Sequence, residues 1–194
     1  MTPQDDAERR RYFRVTDEVI LNCTRASPAD LMRDTAGWPV MDGYDLSSRL
    51  ATLSQESAAL LRRVEKLEPV LAEYLQRLEQ KIGALSAFLL DQAMGEGTQD
   101  TQTRTVSLSA SGISFADEYP WSSGEVMELR LILLPERIGL RLYGRVVTTG
   151  FSQSAGQPLH HVSVDFMGIS DLDREILIAH LLRVERRHLR QTHS

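Results

Sequence analysis

The chain has 194 residues, 42% of them hydrophobic and 25% charged, a near-average globular composition that excludes a collagenous, wholly disordered or membrane-embedded protein. With 22 Lys and Arg against 27 Asp and Glu the net charge is −5, so bulk binding to nucleic acid is not expected. The single cysteine, Cys23, cannot close an internal disulfide and suits a reducing cytosol, and without a signal-like or bilayer-length apolar run the expected location is cytoplasmic with no membrane span.

Taken in chain order, Met1 to Arg14 is a polar arm that ends rich in arginine. Tyr12 to Arg25, with β-branched Val15, Val19 and Ile20, reads as a strand. Residues 1–26 therefore hold the arm and a first strand. Residues 27–43 form a linker with Pro28, Gly37, Pro39 and Gly43, anchored by Leu31 and Trp38.

From Leu46 the period changes to that of a helix. Apolar positions run Leu46, Leu50, Leu53, then Ser57, then Leu60, Val64, Leu67, Leu71, Leu75, Leu78, Ile82, Leu85 and Leu89. The steps alternate four and three except at Leu67, Leu71 and Leu75, a stutter beside Pro69, where the missing N–H and the ring disfavour an unbroken helix. The expectation is two helices, Tyr44 to Leu67 and Pro69 to Met94, with a kinked continuous rod as the alternative. Packing of the stripe on its own domain is one reading. Self-association is the other, and length favours it, because about 24 residues make a helix of roughly 36 Å, longer than a small barrel can cover. Leu61 and Tyr74 widen the stripe beyond a two-stranded seam, which places a tetramer ahead of a dimer.

After residue 95 the period drops to two. Val106 and Leu108, then Ile113 and Phe115, flank a turn at Ser109 to Gly112, where Gly112 is free to take the positive φ a tight turn can require. Met127 to Leu133, Leu140 to Val146 and Val162 to Phe166 alternate in the same way, the pattern of a small antiparallel barrel. Ser170 and Asp173 make a capping-box-like start to a last helix, whose expected apolar face is Leu172, Ile176, Ala179 and Leu182. The fold class is thus α+β: a six-stranded β-barrel with a C-terminal helix, residues 95–194 completing it, and an inserted long-helix oligomerisation segment at 44–94.

Enzyme signatures are lacking: no nucleophile elbow, no phosphate-binding glycine loop before a helix and no histidine pair at helical metal spacing. No metal site is expected, and all five histidines read as surface or boundary residues. Arg183, Arg186, Arg187 and Arg190 read as a solvated helix end. The arm segment Glu8 to Val15 differs, because its arginines can bond phosphates and stack on purines.

Arg10 and Arg14 stand at R-x-x-x-R spacing before the first strand. Ser107-Leu108-Ser109-Ala110-Ser111-Gly112 matches [D/N]-x-S-x-x-G at Ser109 and Gly112, with Ser107 where Asp or Asn belongs. In this order the chain resembles the PilZ domains, bacterial modules that bind cyclic di-GMP or have lost that ability and act as adaptors. The resemblance implies no cofactor, cyclic di-GMP as the possible ligand, and Arg10, Arg14, Ser107, Ser109 and Gly112 as its site. Two departures weaken the site: a lone hydroxyl replaces the group that fixes guanine in the family, and 93 positions separate Arg14 from Ser107. The expectation is a noncatalytic adaptor in cyclic di-GMP-linked signalling with ligand binding weak or lost, self-associating and engaging a protein partner. A working receptor is the alternative.

Overall fold

Strands of alternating polarity can hide their apolar side only by closing around it, and in the computed structural model they do so. The structure describes residues 13–27, 42–95, 103–154 and 157–192. Arg10, Leu31 and Trp38 lie outside these. The strands are β1 (Val15–Arg25), β2 (Thr103–Leu108), β3 (Gly112–Asp117), β4 (Val126–Leu133), β5 (Ile138–Ser154) and β6 (Gln157–Met167). They form a closed antiparallel barrel in the order β1-β2-β3-β6-β5-β4. Closure depends on β1, whose first half from Val15 to Ile20 pairs with β2 and whose second half from Val19 to Arg25 pairs with β4. Val19, Leu21, Leu108, Ile113, Phe115, Leu129, Leu131, Leu140 and Val162 fill the interior.

Gly112 matters for a different reason from the one its turn position implies. Positive φ among the described glycines falls at Gly124 and Gly168. At Gly112 a Cβ would lie 2.4 Å from the Val164 carbonyl oxygen, so the residue must be small to let β3 meet β6.

One barrel end is closed by the last helix, α3 (Asp171–Thr192), which begins with the expected Ser170 cap: Asp173 N donates to Ser170 Oγ at 3.0 Å. Its buried face is Ile176, Leu177, Leu181 and Val184 rather than a stripe through Leu182, which is exposed. His180 is also buried, correcting its reading as a surface or boundary histidine. Its Nε2 lies 2.6 Å from Asp17 Oδ2 on β1.

Between β1 and β2 the chain forms two helices, α1 (Gly43–Leu67) and α2 (Pro69–Gly95). Asp42 caps α1, accepting from the Tyr44 and Asp45 amides at 2.9 and 3.0 Å. At Glu68 the backbone leaves helical geometry, φ −141° and ψ 80°, and Pro69 opens α2. The chain then turns back on itself. Ser57 Oγ donates to Glu79 Oε1 at 2.9 Å, and Gly43 sits against the Leu89 carbonyl. Pro69 therefore marks the turn of an antiparallel hairpin, not a kink in a rod.

The base of that hairpin is fixed to the outside of the barrel. Tyr44 and Leu90 cover Ile132, an apolar residue on the outer face of β4, with Ile20, Ala93 and Leu134 around them. Gly139 leaves room for this contact, since a Cβ there would meet Leu90 Cδ1 at 2.5 Å, and its amide donates to Ser47 Oγ at 3.0 Å. Arg141 pairs with Asp45 at 3.2 Å and with Asp42 at 3.6 Å. Beyond the base the apolar stripe divides. Leu46, Leu50, Val64, Leu75 and Leu78 are half-buried, whereas Leu53, Leu60, Leu67 and Leu71 are 50% to 78% exposed. Val70, Tyr74, Leu85 and Phe88 extend the exposed apolar face. No helix among the described residues is long and apolar enough to cross a membrane.

Candidate functional site

Inward Val106, Leu108, Ile113, Phe115, Val162 and Val164 force their neighbours outward, because side chains alternate along a strand. Register then decides which outward residues meet. Thr16 pairs with Ser107, Ser107 with Ser114, Ser114 with Ser163, and Ser163 with Thr148. A row of five hydroxyls thus crosses β1, β2, β3, β6 and β5 on the outer surface. Ser114 Oγ donates to Ser163 Oγ at 3.0 Å.

Arg14, the last residue before β1, lies on this row and donates from Nη1 to Ser114 Oγ at 3.3 Å. The arm thus reaches the sheet at Arg14, although Ser107 lies 93 positions further along the chain. Ser107 stands beside Ser114 in the same row. Arg14 and Ser107 therefore share one surface, while Arg10 falls outside the described residues.

Ser109 is placed differently. It is fully buried, and its hydroxyl is used inside the β2–β3 turn, accepting from the Gly112 amide at 3.1 Å and donating to the Gly112 carbonyl at 3.0 Å. Its side chain shapes the turn next to the row. Among the described residues the row offers one guanidinium for an anion and several hydroxyls, each with one donor, but Ser107 brings no carboxylate or amide that could grip a purine edge at two points. Ser114 and Ser163 escaped sequence reasoning. Their outward phase was readable from the alternation around them, but their alignment with Ser107 depends on pairings that the sequence does not encode locally.

A second concavity, about 320 Å3, opens between Asn22, Cys23, Arg25, Arg104, Asp117, Tyr119 and Trp121. Its polar groups hold one another. Trp121 Nε1 donates to Asp117 Oδ2 at 3.0 Å, and Arg25 bonds Glu125 at 2.8 Å while its guanidinium lies 5.0 Å from the centre of the Tyr119 ring. Burial first, then the nearby Asp117 charge, pushes the Cys23 thiol well above the ordinary thiol range.

The family model of the PilZ domain matches residues 77–183, more than half of the chain. Among curated proteins none matches. Of solved structures, the chain is similar to a Xanthomonas campestris protein described as a new tetrameric PilZ domain self-assembled via an unusual helical bundle. The two are 19% identical, covering 92% of this chain and 89% of that one, with a TM-score of 0.57. K. pneumonia MrkH in its apo state is 16% identical over 45% of this chain and 44% of that chain, with a TM-score of 0.35.

Proposed function

Because this chain belongs to the PilZ domain family, we propose that it is a noncatalytic, self-associating adaptor in cyclic di-GMP-linked signalling, with binding of the dinucleotide weak or lost. The observation that carries this reading is the hairpin: among the described residues its base packs on the barrel, and Leu53, Leu60, Leu67, Val70 and Leu71 are left exposed along it. Several large apolar side chains exposed along one hairpin are costly in water and mark a site of association. The Xanthomonas campestris relative, described as assembling through a helical bundle into a tetramer, supports the same use of the helices here. A broad face with several exposed leucines fits four hairpins better than two. The barrel is then the surface offered to a protein partner, in the cytoplasm.

Weak ligand binding follows from Ser107, which offers a single hydroxyl where the family motif has Asp or Asn. A receptor is the second reading, and one contact favours it: Arg14 already lies on the sheet beside Ser114. Light scattering on the intact protein and calorimetric titration with cyclic di-GMP test the two parts separately. A tetrameric mass with little or no binding heat is expected. A monomeric mass at micromolar concentration removes the self-association, and tight guanine-selective binding moves the assignment to a receptor.

A further inference from the structure

Strand β5 outruns its neighbour on one side. β4 pairs with it from Ile138 to Arg145, whereas β6 pairs with it as far as Ser154. The loop before β4 extends the cover by two residues: Val146 N donates to the Glu125 carbonyl at 2.9 Å, and Ser123 Oγ donates to the Val147 carbonyl at 3.0 Å. From Thr148 to Ser154 no strand among the described residues lies on that side. Main-chain N–H and C=O groups of a strand turn to alternate edges, so about half of those in this stretch face away from β6 with no ladder to complete.

A strand left at an edge is usually blunted by charge or proline. Here the register shifts between Val146 and Thr148, just before the open stretch, and the stretch itself, Thr-Thr-Gly-Phe-Ser-Gln-Ser, holds neither a charge nor a proline. Thr148, Thr149 and Gly150 are exposed, and a Cβ on Gly150 would touch nothing within 4 Å. Phe151 is 66% exposed, its ring edge-on to that of His160 on β6 at 5.8 Å, which supplies an aromatic anchor in the middle of the edge.

We propose that the Thr148–Ser154 edge of β5 is a docking site at which an extended, uncharged segment of a partner protein, rich in β-branched and aromatic residues, adds as a further strand. The exposed main-chain groups define that class, because an extended backbone presents donors and acceptors at the matching spacing. A second copy of this chain is the poorer occupant. Seven residues span about 23 Å, too short a contact to bury the roughly 1,200 Å2 that a stable interface between folded copies needs. The edge also lies roughly 30 Å along β5 from Gly139, where the hairpin base packs, so copies joined at both places would grow without closing. The occupant, though not the open edge, rests on the self-associating adaptor reading.

Fluorescence anisotropy of the intact protein with a labelled, end-blocked octapeptide KTVTFTVK tests the site, together with hydrogen exchange read by mass spectrometry. Saturable micromolar binding is expected, with slowed exchange at residues 148–154. N-methylating the four central peptide residues removes main-chain donors and should weaken binding at least tenfold. Thr149→Lys combined with Phe151→Lys should do the same with melting temperature and mass unchanged, since both positions are exposed. Three results would overturn the proposal: no saturable binding at millimolar peptide, equal affinity for the methylated peptide, or protection elsewhere while the edge still exchanges. A mass that grows with concentration and stops growing in the double variant also overturns it, because a second copy then holds the edge. A monomeric chain that still captures the peptide removes the self-association and leaves the edge site standing.

Discussion

Asp17 on the first strand and His180 on the last helix meet at 2.6 Å inside the protein, 163 residues apart in sequence. The contact ties the helix that closes the barrel to the strand that completes it. Removing the carboxylate with Asp17→Ala leaves a fully buried imidazole without its partner, at an expected cost of about 1 to 3 kcal/mol. Asp17→Asn keeps an acceptor and should cost less. Urea denaturation of the two variants checks the order, and equal losses would show that the hydrogen bond contributes nothing specific.

Two helical glycines are expected to respond in opposite directions. At Gly43 a Cβ would stand 2.6 Å from the Leu89 carbonyl oxygen, so Gly43→Ala must push the two helices apart, costing about 1 to 3 kcal/mol. At Gly83 nothing lies within 4 Å, and Gly83→Ala should stabilise by up to about 1 kcal/mol. Thermal melts that shift the same way for both would contradict the packing described for the hairpin base.

Leu53→Glu combined with Leu60→Glu should dissociate the proposed assembly. Both side chains are exposed in the single chain, so the barrel should unfold within about 0.5 kcal/mol of wild type. Burial of unpaired carboxylates opposes reassembly. Light scattering reads the mass, and an unchanged mass places the interface elsewhere.

Ser107→Asp should strengthen binding of cyclic di-GMP by about ten- to a hundredfold, the equivalent of one satisfied polar edge of about 1 to 3 kcal/mol. Adding Arg14→Ala to that variant should abolish the gain, because Arg14 is the cation placed on the row. A gain that survives the loss of Arg14 would move the ligand off this surface.

Cys23 should be nearly inert. Its thiol is raised far above the ordinary range by burial, so the reactive thiolate is scarce at neutral pH and stays scarce as pH rises toward 9. Reaction with an aromatic disulfide reagent should be slow in buffer and fast in denaturant. A fast native reaction would show the thiol to be open to solvent.

What the sequence made legible is what repeats within a window. The change from period 3.6 to period two separates helices from strands, and the stutter at Leu67, Leu71 and Leu75 falls at the turn marked by Glu68 and Pro69. The direction of the chain after Pro69 was not legible, because a proline stops a helix without saying where the next one points. Ser57 and Glu79 reveal it only through space. Burial of His180 depended on Asp17, for which no local pattern exists. At the candidate site Arg14 and Ser107 are named by the resemblance to the family motifs, whereas Ser114 and Ser163 require the strand register. Ser109 looked like a ligand-facing hydroxyl because the motif records its type and not its orientation.

The antiparallel hairpin also bears on how the barrel can form at all. Between Arg25 and Thr103 lies a long stretch of chain, yet β1 and β2 are neighbours in the sheet. Because Gly43 packs against Leu89, the inserted helices return almost to the place they left. Helical contacts form between residues close in sequence and form fast, so a hairpin folded early shortens the effective loop that β1 and β2 must close. An insertion of this shape slows barrel closure far less than an equal length of unstructured chain, and its tip is free to lengthen or shorten without altering the register of the strands on either side.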